Sequence, residues 1–263
     1  MGNRQNRNRL DGSSAAGRVE MWMYRFRQRW RQDSPIVTTV ITIICVAAWL
    51  VQIVAYWLVP QESTAFISYN LAFNPMLAVN KPWMFITSTF LHVNNPAHII
   101  CNMITLWVIG PVLEKAMGHW EFLAFYLISG VGGGAGLMIY AAFVPEGWIT
   151  TAVGASGALF GLFAALLLIY RQVGMDIQSL VIWMVINFLV PFFSPGIAWQ
   201  SHIGGFVFGG LMIIFILHQP RWLATKSMAA RTCAAALLDC LLLLVAVFLA
   251  YRTGVNALAG MII

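Results

Sequence analysis

Two side chains of this sequence, a serine and a histidine, are of the types that carry out nucleophilic catalysis. A serine hydroxyl becomes a nucleophile when a base within about 3 Å takes its proton, and histidine is the usual base. Ser156 lies in the run Gly154–Gly157, whose glycines allow a tight turn into a helix and a close approach of other backbones. Gly205 and Gly209 follow His202 at +3 and +7, on its own helix face. Helices with such glycine seams can pack as closely as a serine–histidine pair requires.

A second polar pair, His98 and Asn102, lies four residues apart and therefore on one face of a helix. Both side chains can donate hydrogen bonds. Ser156 adds a backbone N–H at a helix N-terminus, where donors are unsatisfied and the dipole is positive. Together these groups would stabilise an oxyanion. Taken singly, the serine motif and His202 are equally well explained by a structural role, and a pair such as His98 and Asn102 more often makes interhelical hydrogen bonds. Only their conjunction favours a reaction site.

The composition places this site in a membrane. The chain has 263 residues, of which 60% are hydrophobic and 9% charged, whereas about 25% of the residues of a soluble domain are charged. The cysteines show no metal-binding spacing and lie mostly in apolar runs, so we interpret them as small core residues: Cys45, Cys101, Cys233 and Cys240. We therefore predict neither a metal site nor a cofactor.

Apolar runs long enough to cross a bilayer recur along the chain, and about 20 residues suffice for one crossing. They divide the chain into a basic N-terminal segment (1–35), a six-helix core (36–217) and a C-terminal part (218–263) with a linker, a seventh span and a tail. The connection between the first two spans is apolar, and we expect it to lie against the bilayer. The pattern predicts an all-α membrane protein with spans at about Ile36–Val59, Ala97–Leu113, Phe122–Val144, Ala155–Tyr170, Ile177–Phe193, His202–Leu217 and Ala234–Tyr251.

The basic residues predict the orientation of these spans. Eight of the fifteen lie in the first 31 positions, all of them arginines. A nucleic-acid-binding arm is the alternative, but a basic segment ahead of a first membrane helix is typical of a cytoplasmic N-terminus, and we predict no nucleic-acid partner. With the N-terminus inside, thirteen basic residues lie on the cytosolic side and two outside. We therefore predict a cytoplasmic N-terminus and a C-terminus outside.

The predicted fourth span is short for a membrane helix. Its residues, Ala155–Tyr170, rise about 24 Å at 1.5 Å per residue, against a hydrocarbon core of about 30 Å. With Arg171 at the cytosolic edge, Ser156 would lie several ångströms below the outer surface. The segment before it, 145–153, must then dip into the protein, because irregular backbone at that depth needs protein or water around it. The sequence thus predicts a submerged pocket that water reaches from outside.

These residues together resemble the rhomboid family of intramembrane serine proteases, over roughly residues 83–217. In that family the serine lies in a Gly-x-Ser-Gly motif that opens the fourth core helix, as in Gly154–Gly157. The base is a histidine on the sixth core helix ahead of spaced glycines, which His202 matches. A histidine and an asparagine four apart on the second core helix stabilise the oxyanion, which His98 and Asn102 match.

Further positions follow from the same resemblance. Glu114–Gly118 is similar to the Glu-x-x-x-Gly that ends the second core helix, and His92 is the candidate for an additional histidine ahead of that helix. An aromatic ring four residues after the serine packs under the catalytic histidine in such enzymes, which assigns that role to Phe160. The first loop departs from the family, because Trp83-Met84 stands where a Trp-Arg pair is common.

The resemblance implies a rhomboid-like six-helix core plus one extra C-terminal transmembrane helix. It implies a serine endopeptidase in a bacterial cytoplasmic membrane that cleaves single-pass transmembrane proteins near the outer face. No acidic residue lies near the outer end of the sixth span, so a dyad is favoured over a triad. The fifth span and the connection 192–200 are candidates for a gate and cap.

Three alternatives stay open: a catalytically silent rhomboid-like protein that binds membrane clients, a transporter or channel, and a metal site built from His92, His98 and His202.

Overall fold

The computed structural model describes residues 34–193, 197–218 and 221–260. Within these ranges the chain is helical, apart from short turns and one isolated β-bridge. The basic segment 1–35 lies almost wholly outside the described residues, as do residues 194–196 of the proposed cap. The α-helices are α1 (Ile36–Leu58), α2 (Pro60–Asn70), α3 (Pro75–Ala78), α4 (Met84–Thr87), α5 (Pro96–Met117), α6 (His119–Phe143), α7 (Ser156–Gln172), α8 (Gln178–Phe193), α9 (Trp199–Leu217), α10 (Arg221–Ala224) and α11 (Met228–Gly260).

Five of these helices are long and apolar enough to cross a membrane: α1, α5, α6, α9 and α11. Helices α7 and α8 are apolar but shorter, with 17 and 16 residues. The prediction of an all-α integral membrane protein is confirmed, and each predicted span corresponds to one of these seven helices. The helix that contains the predicted seventh span, α11, is longer than that span and begins at Met228. Asp239 lies well inside that helix and is buried against the bundle.

Helices α6, α7 and α9 form the centre of the bundle, and glycines set their spacing. A Cβ at Gly205 of α9 would collide with the backbone carbonyl of Gly157 in α7. One turn further, a Cβ at Gly209 would lie 2.5 Å from the Cα of Gly161. A Cβ at Gly204 would lie 2.7 Å from the Cα of Gly136 in α6. The backbones of these helices therefore touch, which larger residues at these positions would prevent.

The connection between α1 and α5 folds onto the bundle instead of looping away from it. Phe73 is buried and pairs with Ala152 in the isolated bridge, through N–H···O bonds of 3.0 and 2.8 Å. The side-chain amide of Gln52 in α1 accepts from the backbone N–H of His92 and donates to its carbonyl, at 3.2 and 3.0 Å. The indole of Trp49 donates to the Val93 carbonyl. These bonds fix the approach of the chain to α5.

Glu114, near the end of α5, holds the start of α1. Its carboxylate accepts hydrogen bonds from the backbone N–H groups of Val37 and Thr38, at 2.7 and 2.8 Å, and from the Thr38 hydroxyl at 2.7 Å. It also pairs with His119 at the start of α6. The first N–H groups of a helix lack partners within the helix, and a carboxylate satisfies them and suits the helix dipole. One buried acid thus joins three helices.

Candidate active site

Ser156 is the first residue of α7, and a turn that requires glycine leads into it. Gly154 has φ +137°, a conformation that other residues rarely adopt. Its N–H donates to the carbonyl of Ser88 at 3.0 Å, and two residues earlier Ala152 is paired with Phe73. The segment before the serine is therefore held from the first loop on one side and by its own turn on the other. The Ser156 side chain is half-buried.

His98 faces the same turn from α5. A side chain at position 154 would begin 2.9 Å from the Cε1 of His98, 3.1 Å from its Nε2 and 3.5 Å from the Oγ of Ser156. Glycine at 154 therefore leaves open the space between the serine hydroxyl and the imidazole. Any larger residue would fill it. The glycine is needed for its missing side chain as well as for its φ angle.

His202 is the fourth residue of α9 and is buried. Its ring stacks on Phe160 of α7, with centroids 4.4 Å apart and an angle of 10° between the ring planes. Neither ring nitrogen has a hydrogen-bond partner among the described residues. The Ser156–His202 hydrogen bond that a dyad requires is therefore not made in this structure. Catalytic hydrogen bonds of unliganded enzymes often tighten only when substrate binds.

The four sequence-predicted polar residues nevertheless meet around one small space of about 20 Å³. Ser156, His202, His98 and Asn102 line it together with Phe160. A volume of about 10–15 Å³ is enough for one water. A second small polar space, also of about 20 Å³, adjoins Ser156 on the side of Ser88, Thr89 and Ser201. Ser156 thus has polar surroundings on both sides within an apolar bundle.

Asn102 lies one turn after His98 on α5, and both are buried. The Asn102 side-chain amide donates to the backbone carbonyl of His98 at 2.8 Å, which fixes its orientation and leaves its second N–H free to bind another group. The ring nitrogens of His98 have no partner among the described residues. Unsatisfied donors in a buried site are costly unless a ligand completes them.

His92 lies beside this pair and does not reach the cavity. Its ring is fully buried, with its centroid 5.3 Å from that of His98. Burial, and next the neighbouring His98, lower the pKa of His92 from 6.5 to about 3. The described residues contain no group of three His, Cys, Asp or Glu side chains that could hold a metal ion. The arrangement thus gives no support to the three-histidine metal site.

Two residues of α8 at the site were missed from the sequence. The ring of Phe188 packs 6.1 Å from Phe160 and 6.4 Å from His202, at tilted angles. Asn187 lines the cavity and accepts a hydrogen bond from Thr105 of α5 at 3.1 Å. A lone asparagine in an apolar span is a signal that could have pointed to Asn187. Phe188 gives no such signal, because aromatic residues are common throughout these helices.

The fold and the site define a class: a helical membrane protein with a half-buried serine and a buried histidine on neighbouring helices. The chain belongs to the rhomboid family, since the family model of the rhomboid domain matches residues 79–220. It is 33% identical to "RHOMBOID-like protein 5" of Arabidopsis thaliana over 53% of this chain and 46% of that protein. It is 26% identical to "Rhomboid protease AarA" of Providencia stuartii over 79% of this chain and 82% of that protein. It is 28% identical to "Putative rhomboid protease YdcA" of Bacillus subtilis over 71% and 90%.

The extent of these matches differs between relatives. The chain spans less than half of the Arabidopsis protein and 30% of "Rhomboid protease GluP" of Bacillus subtilis, but most of the other two bacterial proteins. Several relatives carry the name of rhomboid protease, and this supports intramembrane proteolysis of the serine type as the class of activity.

Proposed function

We propose that this protein is an intramembrane serine endopeptidase in which Ser156 is the nucleophile and His202 the general base. The observation that carries the proposal is the shared cavity. Four polar side chains from three helices, α5, α7 and α9, line one small space, and a ring stacked under His202 holds the base. Polar groups in a membrane bundle are expensive, so such a convergence calls for a function.

In the proposed reaction His202 takes the hydroxyl proton of Ser156 while Oγ bonds to the carbonyl carbon of a substrate peptide. The resulting oxyanion is stabilised by the Asn102 amide, the His98 ring and the backbone N–H of Ser156. The intermediate collapses, the C–N bond breaks, and His202 gives its proton to the leaving amine. A water then attacks the acyl-enzyme with His202 again as base, which releases the second product and restores Ser156.

A dyad without an acid suits the surroundings of His202. Its ring nitrogens have no carboxylate partner among the described residues, and flat packing on Phe160 orients the imidazole instead. Substrates would be single-pass transmembrane proteins that unwind locally. The enzyme would lie in a bacterial cytoplasmic membrane with its N-terminus inside and its site near the outer face, as the distribution of basic residues favours.

Reconstitution in lipid vesicles with a model single-pass substrate tests the proposal. The native protein should cleave the substrate and react with a fluorophosphonate probe, and Ser156→Ala should lose both. Ser63→Ala is the matched control, because Ser63 is a buried serine on α2 and does not line the cavity. It should keep both activities. Equal cleavage by the native protein and Ser156→Ala would refute the serine mechanism.

Two other outcomes would point to the alternative functions. A native protein that never labels or cleaves, yet retains the membrane segment on co-purification, would support a silent client-binding protein. Flux of a solute through the vesicles that is lost in His202→Ala, without cleavage, would support a transporter or channel.

A further inference from the structure

The seventh helix, α11, packs on the segment that leads to the nucleophile. This segment contains a 3-10 helix, Pro145–Ile149, in which Trp148 is buried. The indole of Trp148 meets the ring of Tyr251 edge to face, with centroids 6.3 Å apart at 71°. Ala250, one residue earlier on α11, is buried in the same apolar cluster. Helix α11 lies wholly outside residues 79–220, to which the rhomboid domain corresponds.

Gly254 allows this contact. It lies one turn after Ala250, and a Cβ there would collide with Cζ2 of the Trp148 indole and lie 2.8 Å from its Nε1. No flexible side-chain end could yield at this point, because the indole is rigid and enclosed. The indole thus lies directly against the backbone of α11, and only glycine leaves room for it.

The cluster around Trp148 reaches both catalytic segments. It includes Ala152, which pairs with Phe73 two residues before the Gly154 turn, and Ala198, which directly precedes α9. Ser156 follows the first segment and His202 the second. One block of apolar side chains thus lies behind both residues of the proposed dyad, and α11 forms one wall of it.

We propose that α11 is a positioning element for the reaction, and that Trp148, docked on Tyr251 and Gly254, is the positioning residue through which it acts. The inference rests on the proposed protease function. The Ser156–His202 hydrogen bond is not made in the unliganded site, so small displacements of segment 145–155 decide whether the serine comes into reach of its base. A misplacement of about 1 Å can cost about 100-fold in rate.

The test introduces a steric clash between position 254 and the Trp148 indole and then relieves it. Gly254→Ala places a methyl group against the indole and should lower kcat by about tenfold or more, with KM nearly unchanged, because neither Gly254 nor Trp148 lines the spaces at Ser156. Trp148→Phe removes Cζ2 and Nε1, so the double variant Gly254→Ala/Trp148→Phe should recover most of the lost kcat. Thr253→Val, at the adjacent exposed position of α11, is the matched control and should behave like the native protein.

Two further measurements distinguish a positioning role of α11 from a loss of overall stability, and a failure of this inference from a failure of the proposed function. The rate of fluorophosphonate labelling of Ser156 should fall in Gly254→Ala and recover in the double variant, and hydrogen exchange of residues 145–155 should rise and recover in parallel. Native-like kcat in Gly254→Ala, or a loss that follows the melting temperature and is not relieved by Trp148→Phe, would overturn the inference. If the native protein itself neither cleaves nor labels, the proposed function fails, and the exchange of 145–155 alone decides whether α11 docks this segment.

Discussion

An aromatic ring orients His202, and no carboxylate among the described residues bonds to its ring nitrogens. Its ring lies flat on Phe160, and Phe188 packs against both at an angle. Stacked and edge-to-face contacts restrict the tilt of an imidazole without fixing which nitrogen carries the proton. In the proposed reaction, the Ser156 hydroxyl supplies a polar partner for a His202 ring nitrogen that has none among the described residues.

The Phe160 ring can be tested by substitution. Phe160→Leu keeps the site apolar but removes the flat face, and we expect kcat to fall about 2- to 10-fold, since an aromatic pair is worth about 0.5–1.5 kcal/mol. Phe160→Tyr keeps the face and should stay close to native. Single-turnover cleavage in vesicles measures the change. Phe215→Leu, further along α9 and away from the site, is the control, and an equal loss in both leucine variants would contradict the role of Phe160.

His92 makes the stability of the protein depend on pH. Its pKa falls from 6.5 to about 3 on folding, so the unfolded chain takes up a proton near pH 6.5 that the folded chain accepts only near pH 3. The stabilisation is therefore complete above pH 6.5 and is lost as the pH falls from 6.5 toward 3. The slope approaches about 1.4 kcal/mol per pH unit in the middle of this range.

The melting temperature in mild detergent from pH 7.5 to 4 measures this dependence. His92→Gln keeps the backbone N–H and C=O that bind Gln52 but cannot titrate. We expect its melting temperature to fall less steeply below pH 6.5 than that of the native protein. Parallel curves would show that His92 does not contribute to the acid sensitivity.

Among the elements, α7 and α9 are held together by backbone contact instead of interlocking large side chains. The Gly157–Gly205 and Gly161–Gly209 contacts bring the helix that carries the proposed nucleophile against the helix that carries the proposed base. The same contacts leave little freedom for sliding or rotation. The seam therefore determines the relative height of Ser156 and His202 as well as the stability of the bundle.

Two neighbouring glycines of α9 give a sharp test of this seam. A Cβ at Gly209 would lie 2.5 Å from the Cα of Gly161 and 2.8 Å from the Oγ of Ser129, whereas one at Gly210 would meet only Ala164 Cβ at 3.7 Å. We expect Gly209→Ala to lower the free energy of unfolding by about 1–3 kcal/mol. Gly210→Ala should be neutral or stabilise by up to about 1 kcal/mol. Titration with sodium dodecyl sulfate of the proteins in mild detergent measures the free energy of unfolding of both variants. Equal effects of the two substitutions would contradict the role of the Gly161–Gly209 contact.

At the scale of the whole molecule, α1 is a spanning helix with little support from the core. Only 28% of its most apolar window is buried. It nevertheless carries Trp49 and Gln52, which hold the chain on its way to α5, and its first turn is bound by Glu114. The attachment of α1 thus affects the placement of His98 and Asn102 on α5.

Loss of the Glu114 carboxylate should release the start of α1. In Glu114→Ala the N–H groups of Val37 and Thr38 lose a charged acceptor, and hydrogen bonds to charged groups contribute about 1.5–3 kcal/mol. We expect a loss of at least this size in the free energy of unfolding and faster proteolysis near residue 34. Glu114→Gln, with one acceptor oxygen, should lie in between, and exposed Glu62→Ala should have little effect. A native-like Glu114→Ala would contradict this role.

The sequence by itself determined the helical membrane architecture, the approximate ends of most spans and the members of the proposed site. Lipid leaves no partner for backbone N–H and C=O groups, so long apolar runs must be helical, and polar residues within them stand out. The close packing of α7 on α9 could also be predicted from their spaced glycines, because small residues on one helix face let two backbones approach.

Only the tertiary structure decided which helix faces meet. The helices are apolar nearly all round, so no periodic pattern marks the buried side, and contacts such as Trp148–Gly254 or Gln52–His92 join residues that are distant in the chain. The resemblance predicted the packing of Phe160 under His202, and the structure gave the distance and angle between the rings. That the Ser156–His202 hydrogen bond is not made could not have been inferred from spacing. Differences of a few tenths of an ångström between contact distances arise from packing in three dimensions, and the spacing of residues along the chain does not contain them.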